Sequence, residues 1–404
     1  MVVPPILLLQ WELWLRSVTD LRTGKPLTVC VYAGTPAQRK DLDLNADFIV
    51  VSYGLLKNDF ERLHDHFSAR RLGIISDEAT AIKNTESQTH KAVSLIAEGR
   101  PLMLLTGTPI NKPGDAYAYL KLIVPGVYRN RRQFDRLHVE EKDEYDKVTS
   151  WMNLDLLASN MKVQTSRILR REVRKDLPAV VYTTKDYRLD PAHLALYRQI
   201  AQERLVEFED GREIDAISAS ALRSALQQIV INWGEFDGNP ERRPAGLELA
   251  EEILEELGDK KLVIVANFRR TNAYLLQALS VYNPRAIYGD VSPANKQLAL
   301  RDFIGRESCR VLLVQPQSAG FGVDGLQRVC SDILFLEAPT TPSPFQQTIA
   351  RLDRDGQEDV VHCRVGVAQG TVQVGMFRDL MVNDAVANKV QGGFKDLKEM
   401  IYGG

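Results

Sequence analysis

The sequence predicts an α/β protein made of two lobes, each a parallel sheet covered by helices, with a helical insertion between them. Three observations predict this. Short aliphatic and β-branched runs alternate with helix-period segments, the pattern of parallel strands joined by helical crossovers. The runs are apolar throughout rather than at every second residue, as strands buried on both faces must be. They also fall into two series, separated by a long charged stretch.

The first series is "LTVCVY" (27–32), "FIVVS" (48–52), "LGIIS" (72–76) and "LMLL" (102–105). The second is "LVIVA" (262–266), "RAIYG" (285–289), "VLLV" (311–314), "ILFL" (333–336) and "VVHCRV" (360–365). The intervening segments have helical periodicity: in "LELAEEILEEL", Leu247, Ala250, Ile253, Leu254 and Leu257 share one stripe. The stretch 127–245 reads as helical and charged and closes in a Gly/Pro-rich break, "GEFDGNPERRPAG" (234–246). The expected domains are therefore a first lobe over 1–126, the insertion over 127–245 and a second lobe over 246–404.

Composition narrows the function classes. With 404 residues, 44% hydrophobic and 26% charged, the chain reads as an ordinary soluble protein long enough for more than one core. A formal net charge of −2 gives no overall basic field, so contact with nucleic acid must be local. Cys30, Cys309, Cys330 and Cys363 are far apart and form no CxxC, which suits reduced thiols in a cytoplasm and argues against structural zinc. His64 and His66 read as a solvated pair rather than metal ligands. No run reaches the roughly 18 apolar residues of a membrane helix. The apolar N-terminus, "MVVPPILLLQWELWL", lacks the basic start of a signal peptide.

Four stretches carry candidate chemistry. Asp77 and Glu78 directly follow the run "LGIIS", placing two acids at the carboxyl end of a parallel strand, where open α/β sheets bind ligands. One acid can hold Mg²⁺ through water while the other orients or deprotonates an attacking water, although such acids also cap helices. The next run ends in "LLTGTPIN", where Thr106, Gly107 and Thr108 bring hydroxyls and a close backbone approach to the same edge. "QSAGFGVDG" (317–325) contains Gly320 and Gly322 in a turn that can offer amides to phosphate, or be only a turn. In "QTIARLDRDGQ", Gln347, Arg351 and Arg354 stand at i, i+4 and i+7, one face of an expected helix that Gln357 follows. Arginine suits phosphate oxygens, and a solvated charged face is the plainer alternative.

Taken in order, these stretches resemble the Swi/Snf-type ATP-dependent DNA translocases of helicase superfamily two. "DEATAIKN" (77–84) resembles the family's DEAH box, "LTGTPINKP" its third motif, "KLVIVANF" its fourth and "SAGFGVDG" its fifth. "SRILRREVRKDLP" (166–178) and "YRLDPAHLALYRQI" (187–200) resemble the segments that join the lobes. "QTIARLDRDGQ" resembles the last motif, Gln-x-x-x-Arg-x-x-Arg-x-Gly-Gln, and is the most specific of the set.

The resemblance implies two RecA-like lobes with ATP and Mg²⁺ bound between them. It implies that Asp77 coordinates Mg²⁺ and Glu78 activates water, with Thr106, Gly107, Thr108, Gly320 and Gly322 near the nucleotide. Arg351 and Arg354 would act as arginine fingers, with Gln347 and Gln357 positioning them. Double-stranded DNA would be the partner. Arg129, Arg131 and Arg132 in "YRNRR" and Arg170, Arg171 and Arg174 in "RILRREVRK" are the local basic candidates.

Three departures qualify the resemblance. Thr80 replaces the DEAH histidine, and Asp324 and Gly325 stand where the fifth motif usually has Asn and Leu. The sequence contains no GxxxxGK[ST], and in "TGKP" (23–26) Pro26 takes the Ser/Thr position. "VVPPILLLQWELWL" resembles the segment just after the first motif, so Met1 is expected to start within the lobe's second strand. The phosphate loop would then lie upstream or on a separate polypeptide, leaving two unpaired strand edges and an unstable first lobe.

The leading expectation is thus a DNA-dependent ATPase, whole or split, in a cytoplasm, that of an infected bacterium if the protein is viral. The alternative is a non-catalytic DNA-binding or scaffold protein derived from such a motor. The joint retention of Asp77, Glu78, Arg351 and Arg354 favours the enzyme.

Overall fold

The apolar runs fold as parallel strands in two compact units, 1–140 with 150–166 and 141–149 with 167–404. The structure is a computed structural model and describes all residues but 145, 169, 210–215, 238, 240–241, 290, 317–323 and 392–404. It also leaves aside the side chains of 170, 171, 203–209, 216–220, 235–237 and 293.

The first unit holds strands β1 (Val2–Val3), β2 (Val29–Tyr32), β3 (Phe48–Ser52), β4 (Ile74–Ser76) and β5 (Leu102–Leu104). They pair in parallel in the order β2-β3-β1-β4-β5. Its helices are α1 (Leu8–Ser17), α2 (Pro36–Lys40), α3 (Tyr53–Asn58), α4 (Phe60–Phe67), α5 (Gln88–Ala97), α6 (Ala116–Ile123), α7 (Arg131–His138) and α8 (Leu154–Lys162). Serines start two of them: the Ser52 hydroxyl accepts from Leu55 N at α3, and that of Ser87 accepts from His90 N at α5. Because strand side chains alternate, Val2, Val51 and Ile74 join the core under α3–α5, while Val3 and Val50 pack with Leu15 of α1 on the opposite face.

The sheet corrects one expectation. The missing strand was placed in the middle, leaving two unpaired edges, yet β1 pairs with β3 on one side and β4 on the other. The sheet is continuous and ends at β2 and β5. At the β5 end Met103 is 56% exposed on the face opposite the α3–α5 core.

Strands β6 (Val139–Lys142) and β7 (Val148–Trp151) form a separate two-stranded sheet. The second unit holds β8 (Val180–Arg188), β9 (Leu262–Val265), β10 (Arg285–Ile287), β11 (Val311–Val314), β12 (Asp332–Phe335) and β13 (Val361–Gln369). They form one parallel sheet, in the order β10-β11-β9-β12-β13-β8. Every residue of β9, β11 and β12 is buried, as their apolar runs require. The helices are α9 (Arg170–Val173), α10 (Pro191–Glu209), α11 (Ala216–Asp237), α12 (Ala245–Glu256), α13 (Arg269–Ala278), α14 (Pro293–Gly305), α15 (Pro342–Ile349) and α16 (Val372–Gln391).

The segment 127–245 is divided between the two units instead of forming a helical body of its own. It contributes β8, which pairs with β13 over nine residues from Val180↔Val361 to Arg188↔Gln369. Its sequence, "VVYTTKDYR", alternates buried and exposed sides as an edge strand does, so it lacks the continuous apolar run of a central strand.

A buried carboxylate sits beside the carboxyl ends of β9 and β12. Glu337 is fully buried; its Oε2 accepts from Asn267 N (2.6 Å) and Phe268 N (3.3 Å), and its Oε1 from Thr271 Oγ1 (2.8 Å). Burial pushes this carboxyl up to about 7, against the pull of those donors. Because the folded-state value lies above the unfolded one, the folded unit binds the extra proton between them, and stability falls as pH rises through that window. Urea midpoints of the second unit at pH 5 and pH 7.5 are therefore expected to differ by less in Glu337→Gln than in the parent.

Candidate functional site

The parallel sheet of the first unit delivers Asp77 and Glu78 immediately after β4. Asp77 is pinned from all sides. Its backbone N–H donates to Val2 O (2.9 Å), its carbonyl accepts from Tyr53 Oη (2.7 Å), its Oδ1 accepts from Glu78 N (2.9 Å) and its Oδ2 from Trp11 Nε1 (2.7 Å). Glu78 adopts a left-handed backbone, φ 49° and ψ 54°. For a non-glycine residue this costs of order 1–3 kcal/mol and persists only where the surroundings enforce it. Here Ala79 N donates to Leu105 O (2.9 Å) and Leu105 N to Ser76 O (2.8 Å), tying the acid pair to the loop after β5. Burial pushes the Tyr53 and Tyr119 hydroxyls far up, and nearby acids add to it, so both remain protonated donors.

That loop carries Thr106, Gly107 and Thr108. Thr106 Oγ1 accepts from Thr108 N (3.2 Å), Thr108 is buried and Gly107 is exposed. Asp115 Oδ2 closes the loop by accepting from Asn111 N (2.9 Å) and Lys112 N (3.3 Å). Sequence reasoning thus placed the acids and the loop correctly on one sheet edge. It did not identify Tyr53 or the Trp11 contact, because neither residue belongs to the strands that carry those motifs.

In the second unit, Gln347 lies on α15 but the helix stops at Ile349. Arg351 and Arg354 lie in the turns beyond it, which corrects the expectation of one continuous helical face. The chain tightens there: Arg351 N donates to Thr348 O (3.2 Å) and Gln357 N to Arg354 O (3.0 Å). Both arginines are half-buried, and Arg354 Nη1 lies 3.1 Å from Asp324 Oδ1. Two more hydrogen bonds join these loops: Gln327 Nε2 donates to Asp355 O (3.1 Å), and the buried Gln357 donates through Nε2 to Cys330 O (3.0 Å). Gly325 and Gly356 sit at φ +92° and +91°, conformations that favour glycine and allow both turns. Gly320 and Gly322 lie outside the described residues.

The basic candidates separate by circumstance. Arg129, Arg131 and Arg132 are exposed at the start of α7. Arg131 is engaged, with Nε 2.7 Å from Asp135 Oδ1 and its guanidinium over the Tyr117 and Phe134 rings. Arg174 is held between Asp176 (2.8 Å) and Asp355. Arg170 and Arg171 begin α9, and their side chains lie outside the described ones.

The residues present suit Mg²⁺ held mainly through water. Among the described residues no group of three or more His, Cys, Asp or Glu gathers into a metal cluster. Each Asp77 oxygen accepts one printed hydrogen bond, which leaves it lone pairs for a hydrated cation, and Mg²⁺ keeps several waters when bound by one or two carboxylates. Among the described residues no helix is long and apolar enough to cross a membrane.

Comparison with known proteins agrees with this geometry. The chain is 30% identical over 204 residues to transcription termination factor 2 of Drosophila melanogaster, covering 49% of this chain and 18% of that protein. It is 24% identical to the TATA-binding protein-associated factor MOT1 of Saccharomyces cerevisiae, covering 92% of this chain and 23% of that protein. It is also 24% identical to the ATP-dependent helicase BRM of Arabidopsis thaliana, covering 88% of this chain and 18% of that protein. The chain thus spans less than a quarter of the length of these relatives. Among solved structures, the Sulfolobus solfataricus SWI2/SNF2 ATPase core in complex with dsDNA matches 93% of this chain and 78% of its own, at 20% identity and a TM-score of 0.43. The family model described as the SNF2-related domain matches residues 1–232, more than half of the 404, and the chain belongs to that family.

Proposed function

We propose that this Snf2-family, ATPase-like chain is part of a DNA-dependent ATP hydrolase that tracks along duplex DNA. The observation that carries the reading is the acid pair, with Asp77 pinned at four points and Glu78 held in a strained left-handed backbone at the carboxyl edge of β4. Bound ATP with Mg²⁺ supplies the phosphoryl group and neutralises charge on its oxygens. Asp77 holds the hydrated cation through its carboxylate, and Glu78 orients the attacking water and accepts its proton. Thr106, Gly107 and Thr108 border the acids on a loop bonded to them. Arg351 and Arg354 stabilise the charge that builds on the transferred group, and Gln347 and Gln357 set the turn that carries them. On this reading, turnover requires both units to engage one nucleotide.

The 404 residues contain no GxxxxGK[ST], so the reading also requires a phosphate-loop segment, in the same polypeptide or another. The unpaired edge of β5 and the exposed Met103 beside it support pairing of a further strand there. The test is ATP hydrolysis by the chain supplied with such a segment, with and without duplex DNA, and with Glu78→Gln as the control. Stimulation by DNA and its loss in Glu78→Gln are expected. DNA binding without any hydrolysis would favour the scaffold reading instead.

Binding of duplex DNA is expected to be sequence-tolerant and salt-dependent, each neutralised phosphate adding about −0.9 to the slope of log K against log salt. Arg129→Ala and Arg132→Ala should each make that slope shallower by roughly one. Arg131→Ala should change it less, because Asp135 already neutralises that guanidinium. A titration in which all three variants match the parent removes this segment from the interface.

A further inference from the structure

We propose that Trp11 is a positioning residue for the metal-bearing carboxylate: its indole N–H fixes the orientation in which Asp77 presents itself to a hydrated divalent cation. The proposal rests on the reading of Asp77 as the Mg²⁺ carboxylate. Three of the pins on Asp77 come from the sheet or from near neighbours of the acid pair, through Val2 O, Tyr53 Oη and Glu78 N. The fourth comes from α1, a helix 66 residues away in sequence, whose Trp11 Nε1 lies 2.7 Å from Oδ2.

Oδ1 is already turned toward Glu78 N, so the Trp11 bond fixes the second oxygen and with it the plane of the carboxylate. Hydrogen bonds to an ionised acceptor are short and roughly twice as strong as neutral ones, and this one has the expected length. Trp11 is itself constrained. It is half-buried, packs with the core formed by Val3, Leu15 and Val50, and meets Trp14 edge-on at 5.4 Å between ring centroids. An indole anchored in the core and donating to a carboxylate acts as an outer-shell partner of the metal. Removing such partners typically weakens metal binding by about 10–100-fold. The exposed faces of Leu9, Leu13 and Trp14 leave α1 free to respond to whatever packs on it, and any shift of α1 is passed to Asp77 through this one bond.

The sequence contains 4 tryptophans, which serve as internal reporters for the test. Indole ¹⁵N–¹H resonances of the full chain are recorded, that of Trp11 being assigned from Trp11→Phe, during titration with Mn²⁺ alone. Paramagnetic broadening of Trp11 with Trp233 unaffected, and its loss in Asp77→Asn, are expected. Mn²⁺ affinity, read from the electron paramagnetic resonance signal of free Mn²⁺, is expected to fall about tenfold in Trp11→Phe. That variant keeps the ring and removes only the donor, and its melting temperature should stay near the parent's. If Trp11→Phe binds Mn²⁺ like the parent while Asp77→Asn binds it more weakly, the positioning role is wrong and the metal assignment stands. If Asp77→Asn also binds like the parent, the metal assignment falls and the positioning role with it. If Trp11→Phe lowers the melting temperature, Trp11→His, whose ring can restore a donor, decides: recovered Mn²⁺ affinity supports positioning, and affinity no better than that of Trp11→Phe overturns it.

Discussion

Arg351→Ala and Arg354→Ala, each in a chain supplied with a phosphate-loop segment, are expected to lower ATP turnover by roughly 10³-fold or more while nucleotide affinity falls far less. The asymmetry follows from where the charge appears. Ground-state ATP is already neutralised in part by its cation, whereas charge on the transferred group and leaving oxygen builds only as the bond breaks. A guanidinium aimed at that charge lowers the barrier more than it strengthens binding. The two variants should not be equivalent in the resting chain. Arg354 is paired with Asp324 at 3.1 Å, so Arg354→Ala also frees that carboxylate, while the loops remain joined through Gln327 and Gln357. Single-turnover hydrolysis and nucleotide-binding titrations on the same samples separate the two effects. Parent-like turnover in both variants would remove the arginines from the mechanism.

Phe335→Ala is expected to cost the second unit about 3–5 kcal/mol of stability. Phe335 ends β12, a strand that pairs with β9 on one side and β13 on the other, and its ring is fully buried. Phe345 of α15, also buried, lies with its ring centroid 4.5 Å away. Truncation therefore opens a cavity between sheet and helix that neither partner can close: β12 is held by hydrogen bonds on both sides, and α15 leads into the turn that bears Arg351. Typical domains are stable by only about 5–15 kcal/mol, so this single change removes a large share. Urea unfolding monitored by far-ultraviolet circular dichroism measures it, and a loss below about 1 kcal/mol would mean that the site repacks. Some loss of activity is expected to accompany it, through the turn after α15.

The chain's own residues determined the strand series, the parallel sheets and the acid pair. Each depends on local chemistry: a continuous apolar run can be buried on both faces only as a central strand, and an acid directly after such a run must emerge at the strand's carboxyl end. The order of the motifs likewise sufficed to identify the family. Tertiary structure decided what depends on partners distant in sequence. The pattern "VVYTTKDYR" reads as a solvated segment until β13 is there to pair with it, and it then becomes β8. The spacing of Gln347, Arg351 and Arg354 fits a helix, yet α15 ends at Ile349 and the arginines fall in turns. Hydrogen bonds from Gln327 and Gln357 between the loops, together with Gly356 at φ +91°, hold the chain out of helical geometry there. The Trp11 bond to Asp77 was hidden for the same reason: hydrophobic periodicity records which face of a helix is buried, but not which acceptor a buried indole meets across 66 residues of chain.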